Sequence, residues 1–478
     1  MNLSRRAMLQ ATAAAALAAL GHPVRFAAAA PLSEYRLTAA PGRAALVGAP
    51  YPDTAVWAYD GRVPGPEIRV RQGDRLRVAV ENRLAEETTV HWHGIRVPNA
   101  MDGVPHLTQP PIAPGETFVY EFDVPDAGTF WYHPHLRSFE QVGRGLYGAL
   151  IVEEPDPVPV DRELTWVLDD WRLTADAAIG GDFGNFMDMS HAGRIGNTVT
   201  VNGAVPEQVA VRAGERLRLR LVNAANARIF ALQFDGHRPQ VVALDGQPVA
   251  PHAPEGDRVV LGPAMRADLV IDMTGKPGSR FTVADTFYKS QAYRLLDLVY
   301  SADAPFRERP LDTPVRLADN PLSEPDLGAA ERHEIMFRGG MMGGGPMDGG
   351  AMGGMMGGMS GGMMGGMSVD RIWTINGVSM TGHLQKPLLT LTRGRSYLLA
   401  MHNDTAFHHP IHLHGHSFRV VARDGRPTPH REWRDTVLMA PHESVDIAVV
   451  ADNPGDWMIH CHILEHQASG MMGVVRVA

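Results

Sequence analysis

A single cysteine, Cys461, is all the thiol chemistry this 478-residue chain possesses. It can form no disulfide within the chain, so no disulfide framework holds the fold. Charge of one sign is not in large excess: 44 Lys and Arg stand against 53 Asp and Glu, a formal net charge of −9. With no basic stripe along any segment, nucleic acid is excluded as a partner. Beyond the first 30 residues no apolar run is long enough to span a membrane as a helix, so no membrane anchor is expected after processing. No segment sustains a long helical period of apolar residues. A hydrophobic content of 44% over this length instead suits a soluble chain of two to four ordinary domains.

The N-terminus has its own grammar. Ser4-Arg5-Arg6-Ala7-Met8-Leu9 leads into an Ala/Leu stretch to Leu20, and small residues follow at Ala27 to Ala30. Paired arginines, weak hydrophobicity and an Ala-x-Ala-type cleavage zone predict a signal over residues 1–30, handled by the twin-arginine export machinery. The mature protein is expected in the periplasm, as a monomer. A lone thiol in an oxidising compartment needs protection, and Cys461 lies between His460 and His462. That placement suggests a thiolate bound to metal.

A repeat organises the rest. Val70-Arg71-Gln72-Gly73-Asp74-Arg75-Leu76-Arg77-Val78 runs on to Asn82. Val211-Arg212-Ala213-Gly214-Glu215-Arg216-Leu217-Arg218-Leu219 runs to Asn223, and Leu391-Thr392-Arg393-Gly394-Arg395-Ser396-Tyr397-Leu398-Leu399 runs to Asn403. Each reads as a tight turn at Gly followed by an alternating strand. Three copies separated by roughly 140 to 180 residues predict three β-sandwich domains rather than a solenoid. The expected boundaries are residues 31–155, 156–305 and 333–478, with a Pro/Asp/Glu-rich linker at 306–332. Within the last domain, residues 339–367 are almost pure Gly and Met and predict a mobile loop.

The repeat separates ligands from scaffold. Nine residues after Asn82 comes His91-Trp92-His93-Gly94, and nine after Asn403 comes His412-Leu413-His414-Gly415. Five steps after Gly128 comes His133-Pro134-His135, and five after Gly455 comes His460-Cys461-His462. The second copy has Leu232, Phe234, Val283 and Asp285 at these places, so it is expected to space and brace the other two. In a strand, residues i and i+2 share a face, so each His-x-His presents two imidazoles side by side. One such pair is a weak signal. Four at homologous places predict eight imidazoles converging between the first and third domains, enough for three copper ions. His106, His191, His237, His416 and His442 are assigned no more than turn, core or supporting roles, and His408 is read as an exposed neighbour.

Around Cys461 a second donor set assembles from His409, His466 and Met471. Two imidazoles, a thiolate and a weak axial thioether are the ligands of a blue electron-transfer copper. A four-ligand zinc site competes for the same donors but leaves the neighbouring histidine pairs unexplained. Cys461 points to one face of its strand and its flanking histidines to the other, which joins the two sites through one peptide link. Pro134 occupies the equivalent place in the first domain, so only one such port exists.

His91-Trp92-His93-Gly94, Trp131-Tyr132-His133-Pro134-His135, His409-Pro410-Ile411-His412-Leu413-His414-Gly415 and His460-Cys461-His462-Ile463-Leu464-Glu465-His466 resemble the four signatures of the three-domain multicopper oxidases. The resemblance extends over the whole mature chain, through Asp102-Gly103-Val104-Pro105. It implies an all-β chain of three cupredoxin-like Greek-key β-sandwiches holding four copper ions. His91 and His412 would be the type 2 ligands. His93, His133, His135, His414, His460 and His462 would be type 3, and His409, Cys461, His466 and Met471 type 1. It implies one-electron oxidation of a reductant coupled to reduction of dioxygen to water. Asp102 matches the family's proton-relay acid, whereas Gln467 stands where a second acid usually follows the last type 1 histidine.

The Gly/Met segment resembles that of bacterial copper-efflux oxidases, and soft thioethers prefer Cu(I). Cuprous ion is therefore the expected reductant, with copper tolerance as the role. Asp435 resembles an acid beside the type 1 copper in those enzymes and is expected to receive the substrate cation. A general phenol oxidase or ferroxidase is the competing enzyme reading. A copper store or a structural cupredoxin is disfavoured by the complete donor set.

Overall fold

The computed structural model describes residues 31–309, 311–341, 371–382 and 386–478. The predicted export signal and nearly all of the Gly/Met segment lie outside these residues. Among those described, strands dominate and helices are limited to short turns such as Ser138–Gln141, Phe186–Ser190 and Leu464–Ala468. None is long and apolar enough to cross a membrane.

Six sheets carry the chain. Strands between Leu32 and Glu153 form two four-stranded sheets, and strands between Arg162 and Tyr300 form a six- and a five-stranded sheet. Those between Glu331 and Val477 form a seven- and a five-stranded sheet. The fold is all-β and cupredoxin-like. Alternating burial drives the facing, as in Arg75–Asn82, where Leu76, Val78 and Val80 turn inward and Arg75 and Arg77 turn out. The first and third groups of strands share one continuous apolar core that includes Trp92, Tyr132, Trp373 and Trp457. The second has a separate core around Leu219, Phe230 and Leu296.

The repeated Gly and Asn have distinct jobs. Gly73, Gly214 and Gly394 turn the chain with φ of 87°, 76° and 79°, a region that L side chains avoid. Each Asn, fully or nearly buried, then staples the end of its strand to the connection that follows. Asn82 Nδ2 donates to the carbonyls of Glu86 and Ile112, both at 2.8 Å. Asn223 does so to Arg228 and Leu261 at 2.9 Å, and Asn403 to Phe407 and Ala440 at 2.7 Å. The staple delivers the next strand at one fixed place, and in two copies of three that strand carries the histidines.

The register shows the same three-fold logic. His91 pairs with His133 across neighbouring antiparallel strands, and His412 pairs with His460. The equivalent pair in the second group is Leu232 with Asp285. The same scaffold is built three times, and only two copies carry imidazoles.

The segment expected to be a linker is docked over much of its length. Val315 and Leu317 are buried against Val242 and Val270. The Asn320 amide bonds Gln72, Ala127 and Gln247, and Glu324 pairs with Arg419. It thus touches strands of all three groups.

Asn223 lies away from the histidines, so it tests the staple alone. Replacing it with Ala leaves two buried carbonyls without a donor and should lower stability by about 2–4 kcal/mol. Chemical denaturation should show a lower midpoint for Asn223→Ala; an unchanged midpoint would remove the staple's energetic role.

Candidate metal centres

Two buried clusters form where the sequence places its histidines. In the first, His409, Cys461 and His466 bring one donor atom each together. The Sγ of Cys461 lies 3.4 Å from Nδ1 of His409 and 3.6 Å from Nδ1 of His466, and the two Nδ1 atoms are 3.1 Å apart. All three residues are fully buried. Met471 is also buried, and its backbone binds both neighbours: its carbonyl accepts from Cys461 N and its N–H donates to His466 O. The far nitrogens are held as well. Nε2 of His409 meets Thr405 Oγ1 at 2.8 Å, and Nε2 of His466 donates to the His191 carbonyl at 2.5 Å. Both rings therefore turn Nδ1 toward the sulfur.

His191 follows the helix Phe186–Ser190, on the connection between strands Arg162–Trp171 and Thr198–Val201. The same helix accepts Trp373 Nε1 at the Met189 carbonyl, 2.7 Å away, and the Trp373 ring packs 4.2 Å from that of His466. The ligand-free middle part of the chain thus covers the cysteine site.

The second cluster holds the eight other histidines, each at most 5% exposed. A hydrogen bond on one side of a ring fixes which nitrogen is left with its lone pair. His91 Nδ1 donates to the Asp102 carbonyl and His412 Nδ1 to the Asp435 carbonyl, both at 2.8 Å. Their Nε2 atoms have no hydrogen-bond partner among the described residues. His414 Nδ1 donates to the Asp102 carboxylate at 2.9 Å, His133 Nδ1 to the Pro134 carbonyl at 3.0 Å, and His460 Nδ1 to the Cys461 carbonyl at 2.9 Å. His93 is turned the other way, with Nε2 on Asp435 Oδ1 at 3.2 Å and Thr436 Oγ1 at 3.1 Å.

The free nitrogens then face each other. Those of His414 and His460 lie 3.1 Å apart, those of His462 and His133 3.4 Å, and those of His133 and His93 3.5 Å. His135 joins His414 and His460. His133 links His93 and His462 into one trio and His135, His414 and His460 form another, while His91 groups both with His93 and His133 and with His412 and His414. These close approaches between buried donor atoms are ones that a shared cation would satisfy. The residues fit copper: imidazole nitrogens throughout, plus a thiolate donor at the first cluster.

Electrostatics agree. Burial, then the neighbouring histidines, hold His93, His133, His135, His414, His460 and His462 well below the usual imidazole range. Burial takes His466 down to about 3 and pushes the Cys461 thiol above its ordinary value. The rings are neutral and ready to ligate at pH 7, while the thiol gives up its proton only to a metal.

Asp102 lies at the second cluster, fully buried, touching both His91 and His414. Gln467, in place of an acid, has its side-chain nitrogen 3.4 Å from His135 Nδ1. The expectation for Asp435 is corrected by its position. Its carboxylate is 1% exposed and is taken up by Arg266, His93 and Thr436 at the second cluster. No substrate cation reaches it from solvent. His191, Thr405, Thr436 and Arg266 were not singled out as site residues by the sequence. His191, Thr436 and Arg266 meet partners distant along the chain, whereas Thr405 lies only four residues from His409.

These shifts give the copper-free protein an acid limit. A histidine whose folded pKa is depressed lets the unfolded chain bind more protons, so stability rises with pH. It is fully present above about 6.5 and is lost as pH falls toward the folded values. Thermal melts of the copper-free protein should show a clearly lower midpoint at pH 5 than at pH 7.5. A flat profile would argue against buried neutral imidazoles.

Comparison with known proteins agrees with this geometry. Multicopper oxidase family signatures match residues 45–157, 162–302 and 360–478. The chain is 32% identical to the multicopper oxidase MmcO of Mycobacterium tuberculosis, over 91% of this chain and 85% of that one. It is 27% identical to copper resistance protein A of Escherichia coli, covering 87% and 88%. The crystal structure of a multi-copper oxidase from Pseudomonas thermotolerans superposes with a TM-score of 0.82 at 36% identity, covering 94% of this chain and all of that one. The chain belongs to the multicopper oxidases, copper-dependent oxidoreductases that use dioxygen.

Proposed function

We propose that the chain holds four copper ions, one at Cys461 and three at the eight-histidine cluster, and oxidises cuprous ion in the periplasm in the service of copper tolerance. The observation that carries the reading is the strand Gly455–Cys461, which continues into His462. One residue of it belongs to the first cluster and its two neighbours to the second. When bound, copper supplies one-electron acceptance at Cys461 and four-electron reduction of dioxygen to water at the histidine cluster. The protein supplies the connection, through the peptide links on either side of Cys461 and through the hydrogen bond from His460 Nδ1 to the Cys461 carbonyl.

His409, Cys461, His466 and Met471 make up the type 1 site, with Thr405 and the His191 carbonyl turning both rings inward. His91 and His412 make up type 2 and the two trios type 3. Asp102 is the proton relay in this scheme: it contacts two ligand rings, and its Oδ1 has no hydrogen-bond partner among the described residues. The twin-arginine signal predicted for residues 1–30 provides the route to the periplasm.

The cuprous substrate is supported by the thioethers of residues 339–367 and by where that segment starts. Met341 N donates to the Ser190 carbonyl at 3.1 Å, one residue from the carbonyl that holds His466. The copper resistance protein among the relatives points the same way. A phenol or other aromatic reductant is the second reading, and a specific surface favours it. Half-buried Phe407 and His191 stand near the type 1 site, with rings 6.0 Å apart, beside the Phe287–His408 pair at 5.4 Å.

Metal analysis of the fully loaded protein should give about four copper ions per chain, with a blue absorption. Cys461→Ser should abolish the blue colour and turnover while circular dichroism shows the fold retained. Fewer than four ions at saturation would overturn the proposal.

Removing residues 339–367 should lower kcat/KM for Cu(I) by about tenfold or more while a bulky phenol is oxidised at near the intact rate. Equal losses on both substrates would sink the cuprous reading and leave the oxidase.

A further inference from the structure

Asp102 and Asp435 are counterparts. Each offers its backbone carbonyl to the Nδ1 of one type 2 ligand, and each sends its carboxylate to a type 3 ring of the other ligand-bearing sandwich. Their surroundings differ. Asp102 has no arginine beside it among its contacts, whereas Asp435 is gripped by the guanidinium of Arg266. Nη1 lies 2.8 Å from Oδ1 and Nη2 2.5 Å from Oδ2, a bidentate pair with Arg266 fully buried.

Arg266 belongs to the ligand-free sandwich, on the strand Arg266–Asp272. Its side chain reaches all three. Nε donates to the carbonyl of Thr129 at 3.2 Å, on the strand that delivers His133, and Nη1 also donates to Ala264 O at 3.2 Å. The guanidinium carbon is 5.9 Å from the centre of the Phe130 ring. Asp245, also from the ligand-free sandwich, adds a second hold: its carboxylate accepts from Arg266 N at 2.9 Å and from Thr436 N at 3.3 Å.

Gly94, the last residue of the His91-Trp92-His93-Gly94 motif, belongs to the same assembly. Its φ is 88°, and a Cβ there would fall inside contact distance of both Arg266 Nη2 and Asp435 Oδ2. The matching glycine of the other motif, Gly415, instead makes room for the Trp457 ring. The two motif glycines thus have different reasons, and Gly94 is the one that admits the ion pair.

We infer that Arg266 is the positioning residue for the type 2 and type 3 ligands, fixing Asp435 as a hydrogen-bond acceptor for His93 and His412 and keeping it from becoming a metal ligand. The second half of this follows from the donor set. Asp435, His93 and His412 lie close enough together to form a cation site of their own, and the rings of His93 and His412 stack at 3.8 Å. With both carboxylate oxygens held by the guanidinium, Asp435 receives the His93 Nε2 proton and leaves Nδ1 as that ring's donor atom. The inference rests on the three-copper reading of the histidine cluster and deepens it: the sandwich without ligands sets the geometry of the ligands at the seam.

The test uses copper-loaded full-length protein, with the blue absorption of Cys461 as an internal reference, since Arg266 makes no contact there. Arg266→Gln should retain the blue band, lower copper affinity at the histidine cluster by about 10- to 100-fold and change the type 2 paramagnetic resonance signal. Arg266→Lys keeps the charge without the fork and should recover only part of that signal. Gly94→Ala, approaching from the other side, should reproduce the Arg266→Gln spectrum. The double variant Arg266→Met with Asp435→Leu removes both buried charges and so separates positioning from neutralisation. It should fold with its blue copper yet still show weakened binding at the cluster. Wild-type copper content and type 2 signal in Arg266→Gln or in the double variant would overturn the inference. So would loss of the blue band in step with the rest, which would mean general unfolding. A wild-type protein that never holds more than one copper would instead defeat the three-copper reading itself, whatever Arg266 does.

Discussion

Lone pairs that face each other in a dry interior are the constraint on which this structure turns. Imidazoles approach to 3.1–3.5 Å, nitrogen to nitrogen, in a place where burial keeps them neutral. Burial disfavours protonation, and a bound cation is a partner that would balance them. Several rings are held there because their other nitrogen meets a carbonyl, a carboxylate or a hydroxyl, as in His133, His460, His414 and His93.

Such a cluster needs two half-sites brought together, and the duplicated scaffold supplies them. The same Asn staple and the same strand register place His91 against His133 in one sandwich and His412 against His460 in another. A shared apolar core joins those two sandwiches directly. The middle copy, without imidazoles, was expected to be a spacer and brace. It is more involved than that: its His191 carbonyl orients the ring of His466, its Arg266 grips Asp435, and its Asn226 amide bonds Glu465 at 3.0 Å. The copy without imidazoles thus helps to organise those of its neighbours.

The cysteine site shows why legibility stops where it does. Cys461, His466 and Met471 fall within ten residues of one another, and their spacing alone names a blue-copper donor set. The atoms that turn the rings toward the sulfur do not share that locality, since His191 lies 275 residues from His466. Read as a bystander in the sequence, His191 matters through its carbonyl, a group every residue has and no sequence pattern marks. Asp435 was misplaced for a related reason. Resemblance to copper-efflux oxidases put it beside the type 1 copper as a receiver of the substrate cation, but Arg266, 169 residues earlier, holds it in the interior.

The sequence by itself determined the fold class, the repeat and the candidate metal ligands. These depend on short-range periodicity, with i and i+2 on one face of a strand and a turn at a fixed offset from it. Tertiary structure decided which nitrogen of each ring points inward, which aspartate is clamped and which keeps an unpartnered oxygen, and how the ligand-free sandwich takes part. Those depend on single hydrogen bonds spanning up to 343 residues, as from His93 to Thr436. Nothing in the local pattern encodes such a bond; it exists only once the three groups of strands have met.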